Sequence, residues 1–165
     1  ELGEDNLLMA YAHVAHDCRL GSRIVLANGV TLGGHVNVDD DVVIGAMSGI
    51  HQFTHIGTQV MIGAMSRVCN DIPPYMLASG RPPRVYGLNR VGLRRAGFSR
   101  DLRRELKQAF NLLYRRESQL EAALKEIECL SDAPEIQDLV RFVRQSRRGL
   151  VGAARPQQAL PEELR

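Results

Sequence analysis

A parallel β-helix followed by a set of short α-helices is the fold class that this 165-residue sequence predicts. Three observations predict it. Every sixth residue from Leu8 to Val68 is Leu, Val or Ile: Leu8, Val14, Leu20, Leu26, Leu32, Val38, Ile44, Ile50, Ile56, Ile62 and Val68. Four places after each comes a second small or branched residue: Ala12, Cys18, Ile24, Val30, Val36, Val42, Ser48, Thr54, Val60, Ser66 and Ile72. Beyond Ser99 the apolar spacing changes to that of an amphipathic helix.

A strict period of six suits neither a helix, which repeats at 3.6, nor one long strand, which repeats at 2. It suits a coil in which each hexad is one short strand and one turn, with the two recurrent residues filling a triangular interior. Gly and Asn are expected to relieve the backbone at the corners. Three hexads make one coil, so residues eighteen apart stack about one strand spacing, roughly 4.8 Å, from each other. The corner columns are then His16, Gly34, Gln52 and Asn70; Ala10, Asn28, Ala46 and Ala64; and Ser22, Asp40 and Thr58. The first is rich in hydrogen-bonding groups and the second in small residues.

The expected organisation is a partial β-helix over 1–74, a connecting loop segment over 75–98, a three-helix unit over 99–150 and a disordered tail over 151–165. Pro73-Pro74 deny a further strand its donors. Residues 75–98 are rich in Gly, Pro and Arg and read as irregular. Ser99 reads as an N-cap before a helix with Leu102, Leu106, Ala109, Phe110 and Leu113 on one face. A second helix carries Leu120, Leu124, Ile127 and Leu130. A third has Pro134 in its first turn and carries Ile136, Leu139, Val140 and Val143. The hexads begin almost at Glu1 without a cap, so the chain reads as part of a longer solenoid.

The net charge of +2 selects no partner class, but basic residues are uneven. Residues 1–66 hold only Arg19 and Arg23, whereas 81–116 are dense in Arg, as a surface for an acidic or phosphorylated partner would be. Three cysteines without CxxC spacing fit a reduced compartment. No run of about 18 apolar residues marks a membrane span.

All five histidines fall within residues 13–55: His13, His16, His35, His51 and His55. Solvated corner histidines would be the plain explanation. The stacking map supports a second one. It sets His16 beside Asp17, one coil from Gly34 and two from Gln52, with His35 stacked on Asp17. A histidine near a carboxylate and near free backbone N–H groups has the parts of a general base with an oxyanion site. Acyl transfer to a hydroxyl needs both. With no GxSxG or paired Cys/His signature, direct attack on a thioester is favoured over a covalent intermediate. A zinc site from His13, His16 and His35 is the rival reading.

Residues Asn6-Leu7-Leu8-Met9-Ala10-Tyr11-Ala12-His13-Val14-Ala15-His16-Asp17-Cys18 resemble the signature of the UDP-N-acetylglucosamine O-acyltransferases that begin lipid A synthesis. Leu26-Ala27-Asn28, Gly34-His35-Val36, Ile50-His51-Gln52-Phe53, Asp71-Ile72-Pro73-Pro74-Tyr75, Gly92-Leu93-Arg94-Arg95-Ala96-Gly97-Phe98-Ser99 and Ser146-Arg147-Arg148-Gly149-Leu150 extend the likeness. The resemblance implies a left-handed β-helix, a homotrimer with sites between subunits, and a cytoplasmic bacterial setting. It implies transfer of an (R)-3-hydroxyacyl group from acyl carrier protein to the glucosamine 3-hydroxyl of UDP-N-acetylglucosamine. By position His16 is the base, Asp17 its neighbour and the Gly34 amide the oxyanion donor. His13, His35, His51, Gln52, Asn89 and Arg95 match substrate-binding positions, and Ala64 matches the acyl-chain gate. No cofactor and no metal are expected.

The sequence departs from the family at Val91, Ala96 and Pro82, where relatives often carry Glu, Arg and His. Two further readings are a zinc enzyme of carbonic anhydrase type and a non-catalytic fragment that trimerises or binds acyl carrier protein.

Overall fold

The structure, a computed structural model, describes residues 1–114 and 119–155. Eleven two-residue strands follow one another at six-residue intervals. They are β1 (Leu7–Leu8), β2 (His13–Val14), β3 (Arg19–Leu20), β4 (Val25–Leu26), β5 (Thr31–Leu32), β6 (Asn37–Val38), β7 (Val43–Ile44), β8 (Gly49–Ile50), β9 (His55–Ile56), β10 (Met61–Ile62) and β11 (Arg67–Val68). From β1 to β8 each pairs in parallel with the strand eighteen residues on, as Leu8 with Leu26, Leu26 with Ile44, and Ile44 with Ile62. Three sheets result: β1-β4-β7-β10, β2-β5-β8-β11 and β3-β6-β9.

Both aliphatic series point inward. From Leu20 to Val68 every member of the first is buried, as is every member of the second from Cys18 to Ile72. Leu2, Leu7 and Leu8 are exposed. Buried side chains stack at the strand spacing, so one swollen or missing methyl group is felt by the coils on either side.

The corners do not follow the Gly and Asn expectation. One residue per hexad adopts left-handed backbone: Asp5, Tyr11, Asp17, Arg23, Gly29, His35, Asp41, Met47, Phe53, Gln59 and Met65, with φ of 56–64° at the non-glycines. Only Gly29 takes this conformation freely. From Arg23 onward the inter-coil ladder holds it. The His35 N–H donates to the His16 carbonyl at 3.1 Å, Phe53 to Gly34 at 3.1 Å and Met47 to Asn28 at 2.9 Å. A hydrogen bond to the coil before offsets the conformational cost of about 1–2 kcal/mol per residue.

Residues 75–98, read from the sequence as a loop, are regular. β12 (Met76–Gly80) adds in parallel to β10, so the first sheet continues past the two prolines. It then turns antiparallel into β13 (Pro83–Leu88), and α1 (Arg90–Arg95) follows at once. A bulge between Leu77 and Ala78 shifts the register and breaks the period-2 signal that would have marked the strands.

Three longer helices follow: α2 (Arg100–Tyr114), α3 (Leu120–Glu128) and α4 (Pro134–Gln145). The Ser99 hydroxyl accepts from the Leu102 N–H at 3.1 Å, the expected N-cap. Leu106, Ala109, Phe110, Leu124, Ile127, Ile136, Leu139, Val140 and Val143 form their buried core, whereas Leu120 is exposed. Phe142 instead leans on His55 of the solenoid at 4.4 Å between ring centroids.

The chain beyond α4 returns to the solenoid. Asp71 anchors it: its carboxylate accepts from the His55 N–H at 2.8 Å and the Ser146 hydroxyl at 2.7 Å. Val151 and Ala154 are buried, and Ala153 bridges Val85. The expected tail therefore begins as an ordered strap through Arg155, because its apolar residues find a sheet edge. Its remainder, 156–165, lies outside the described residues.

Candidate active site

His16, Asp17, Gly34 and His35 meet at one corner of the solenoid. Asp17 follows His16 in left-handed backbone, which turns its carboxylate back to the ring: His16 Nδ1 lies 2.8 Å from Asp17 Oδ2. With Asp17 ionised, Nδ1 carries the proton and Nε2 keeps its lone pair. His35 Nε2 stands 3.8 Å from the same Asp17 oxygen. The His16 hydrogen bond, and then the His35 charge, hold the Asp17 carboxyl below its usual 3.8. The His16 and His35 rings meet edge to face at 5.1 Å.

Gly34 is buried directly below His16 in the stack. A Cβ on it would fall 2.7 Å from His16 Cε1 and 2.8 Å from Nε2. The imidazole thus occupies the space that any other residue would fill. Among the described residues the Gly34 N–H meets no acceptor, although its carbonyl receives Phe53. Gly34 thus carries an uncommitted N–H and sits beneath the imidazole ring.

The other expected residues are dispersed. Gln52 continues the column: a Cβ on Gly33 would meet its backbone nitrogen at 2.8 Å. His51 Nδ1 lies 3.1 Å from the Gln52 carbonyl. His13 is exposed on β2 and, among the described residues, joins no such group, so the three imidazoles of the zinc reading do not meet in one copy, although His16, Asp17 and His35 offer ligand atoms within 4.8 Å of one another. Ala64 lies below Gly45, whose missing Cβ would meet the Ala64 nitrogen at 2.5 Å, and exposed Met47 and Met65 stand at the same edge.

Asn89 and Arg95 are not in this group. Asn89 is buried and caps α1: its oxygen accepts from Gly92 at 3.1 Å and its NH₂ donates to the Gln59 carbonyl at 2.9 Å. Gln59 lies more than two coils on from His16. Arg95 is exposed at the end of α1.

Sequence reasoning missed Phe53. Its ring stacks on His35 at 4.7 Å and 6°, and it lines a groove of about 1090 Å³ with Asp17, His35 and Arg147. The signal was available: Phe53 stands eighteen residues beyond His35.

Two family models match. "Udp N-acetylglucosamine O-acyltransferase; Domain 2" covers residues 71–151, and the bacterial transferase hexapeptide repeat covers 1–34. An acyl-[acyl-carrier-protein]–UDP-N-acetylglucosamine O-acyltransferase from Gloeothece citriformis is 43% identical over 146 residues, 88% of this chain and 53% of that one. The enzyme of that name from Burkholderia mallei is 41% identical over 155 residues, 91% of this chain and 59% of its own.

The chain belongs to the UDP-N-acetylglucosamine O-acyltransferase family.

Solved structures of the family agree. LpxA from Acinetobacter baumannii superposes with a TM-score of 0.86 at 40% identity, covering 89% of this chain and 58% of LpxA. The UDP-N-acetylglucosamine acyltransferase of Campylobacter jejuni gives 0.87 at 37%, covering 93% and 60%. The chain thus spans little more than half the length of the family members it matches.

Proposed function

We propose that this chain transfers an (R)-3-hydroxyacyl group from acyl carrier protein to the glucosamine 3-hydroxyl of UDP-N-acetylglucosamine, the first step of lipid A synthesis. The observation that carries the reading is His16 held through Nδ1 by Asp17 and seated on Gly34, with Nε2 left available. The sugar hydroxyl gives its proton to His16 Nε2 as its oxygen attacks the thioester carbonyl. Asp17 stabilises the imidazolium that forms. The Gly34 N–H stabilises the tetrahedral oxyanion, and collapse expels the thiolate, which takes the proton back from His16. A base of this kind contributes about 10²–10⁴-fold and an oxyanion donor about 10²–10³-fold.

His13, His35, His51 and Gln52 are proposed to hold the sugar nucleotide and Ala64 to set acyl-chain depth. Asn89 and Arg95 are proposed to reach the site from a neighbouring copy, which requires the homotrimer. The Asn89 side chain is committed to α1 and Gln59, so its part is to shape that surface rather than to bind directly. Acyl carrier protein is acidic, and the groove beside α2 offers Arg90, Arg100, Arg103 and Arg104 to it. Association should weaken as salt rises. No helix among the described residues is long and apolar enough to cross a membrane, and the proposed location is the bacterial cytoplasm.

The test is thioester consumption with acyl carrier protein and UDP-N-acetylglucosamine, with and without His16→Ala. Loss of about 10²-fold or more on substitution supports the base. No transfer above background by the unaltered chain overturns the enzyme reading.

A further inference from the structure

Phe53 is the least expected residue at its corner. It is more than half exposed, so it fills no part of the core. It holds left-handed backbone at φ 64°, a conformation that Gly, Asn or Asp adopt at less cost. Its ring nevertheless has a definite partner. It lies flat against His35, 6° from parallel with centroids 4.7 Å apart. The opposite neighbour of His35 is the His16 ring, met edge-on at 5.1 Å. Phe53, His35 and His16 therefore make a continuous stack of rings up one corner, fixed below by the Phe53 N–H on the Gly34 carbonyl.

We propose that Phe53 is a positioning residue for His16, clamping His35 so that both histidines address the one Asp17 carboxylate. The role rests on the general-base reading given above. Without Phe53 the His35 side chain could rotate away from Asp17, since among the described residues only the His16 ring also packs against it. Clamped, it keeps Nε2 at 3.8 Å from Asp17 Oδ2 and blocks that side of the carboxylate from rotating. Asp17 is then left with one short contact, His16 Nδ1 at 2.8 Å, and His16 is left in the tautomer whose Nε2 is free to accept a proton. Phe53 touches neither the reacting atoms nor His16 itself, and acts through His35.

Three substitutions and two readouts test this. In acyl transfer, Phe53→Ala and Phe53→Leu should each lower kcat about tenfold, because a displaced base loses rate, with any rise in KM from a freed His35 coming in addition to that loss. Phe53→Tyr, which keeps the flat ring, should retain kcat within about twofold. Long-range ¹H–¹⁵N spectra of the imidazoles supply a readout that needs no turnover. The unaltered chain and Phe53→Tyr should show His16 as the Nδ1–H tautomer, with His35 carbon-bound protons shifted by the facing ring. Phe53→Ala and Phe53→Leu should lose the shift and show a tautomer mixture at His16. A His16 tautomer unchanged in Phe53→Ala overturns the proposal, as does full rescue by Leu or a rise in KM alone. Absence of turnover in every form removes the acyltransferase reading, while the spectra still decide the clamp.

Discussion

Replacing Gly34 by alanine puts a methyl group where the His16 ring now lies. The new Cβ would stand 2.7 Å from Cε1 and 2.8 Å from Nε2. Carbon atoms in contact prefer roughly 3.5–4.0 Å, so the ring must retreat by about 1 Å. It can do so cheaply, because the His16 side chain is 73% exposed and Gly34 has no positive φ to strain. Stability should change by less than about 0.5 kcal/mol. Catalysis should suffer far more, since a misplacement of about 1 Å costs on the order of 10²-fold. Gly33→Ala is the control one residue away. Its Cβ would meet the Gln52 nitrogen at 2.8 Å and Cα at 3.2 Å, backbone atoms that cannot swing aside. That substitution should cost about 1–3 kcal/mol, lowering a urea midpoint by about 1 M. Urea denaturation and initial rates of thioester consumption read both. A fully active Gly34→Ala would refute the stacking of His16 on Gly34, and a Gly33→Ala no less stable than Gly34→Ala would refute the close approach of Gly33 to the Gln52 backbone.

Two further expectations concern how the helical part is held on the solenoid. Asp71→Asn should loosen the returning strap, because one amide oxygen cannot accept from both His55 and Ser146, at a cost of about 1–3 kcal/mol; amide exchange at Val151 should accelerate most. Asp138 on α4 has its carboxyl raised above 3.8 by burial and also by Asp39, against the lowering effects of Arg141, the Tyr75 hydroxyl and His55. The folded state keeps this proton where the unfolded chain has lost it, so ionised Asp138 is a liability above its folded value and stability is regained as pH falls through it. Asp138→Asn should accordingly melt higher than the unaltered chain at pH 7, with the gap closing towards pH 4, as thermal scans across that range would show.

The solenoid was legible because its interior obeys a single rule. Leu26, Ile44 and Ile62 are interchangeable members of one column, and no other fold needs an aliphatic residue at that interval. The His16, Asp17 and Gly34 group was legible for the same reason: a rigid pitch turns sequence separation into distance. The hairpin of β12 and β13 was not, because it abandons that pitch, and its bulge and Pro83 hide the alternation. The corner conformations were invisible as well. Left-handed backbone at Met47 and Phe53 contradicts local preference and is held by hydrogen bonds to the preceding coil. Phe53 was overlooked on that account, since its importance lies in the residue beneath it and not in its own neighbours. Arg95 and Asn89 match family positions in sequence, yet a single copy leaves them apart from His16.

The coil pitch also constrains how such a chain can change length. Insertion or deletion of one hexad anywhere between His16 and Gly34 would preserve every buried contact in kind, because each hexad presents the same two aliphatic positions inward. It would nonetheless rotate everything downstream by one third of a turn and carry Gly34 to a different edge of the prism. Only changes in whole multiples of eighteen residues leave edge identity intact. The core therefore tolerates edits that the site does not: length variants could fold normally while their chemical groups are distributed over three separate edges.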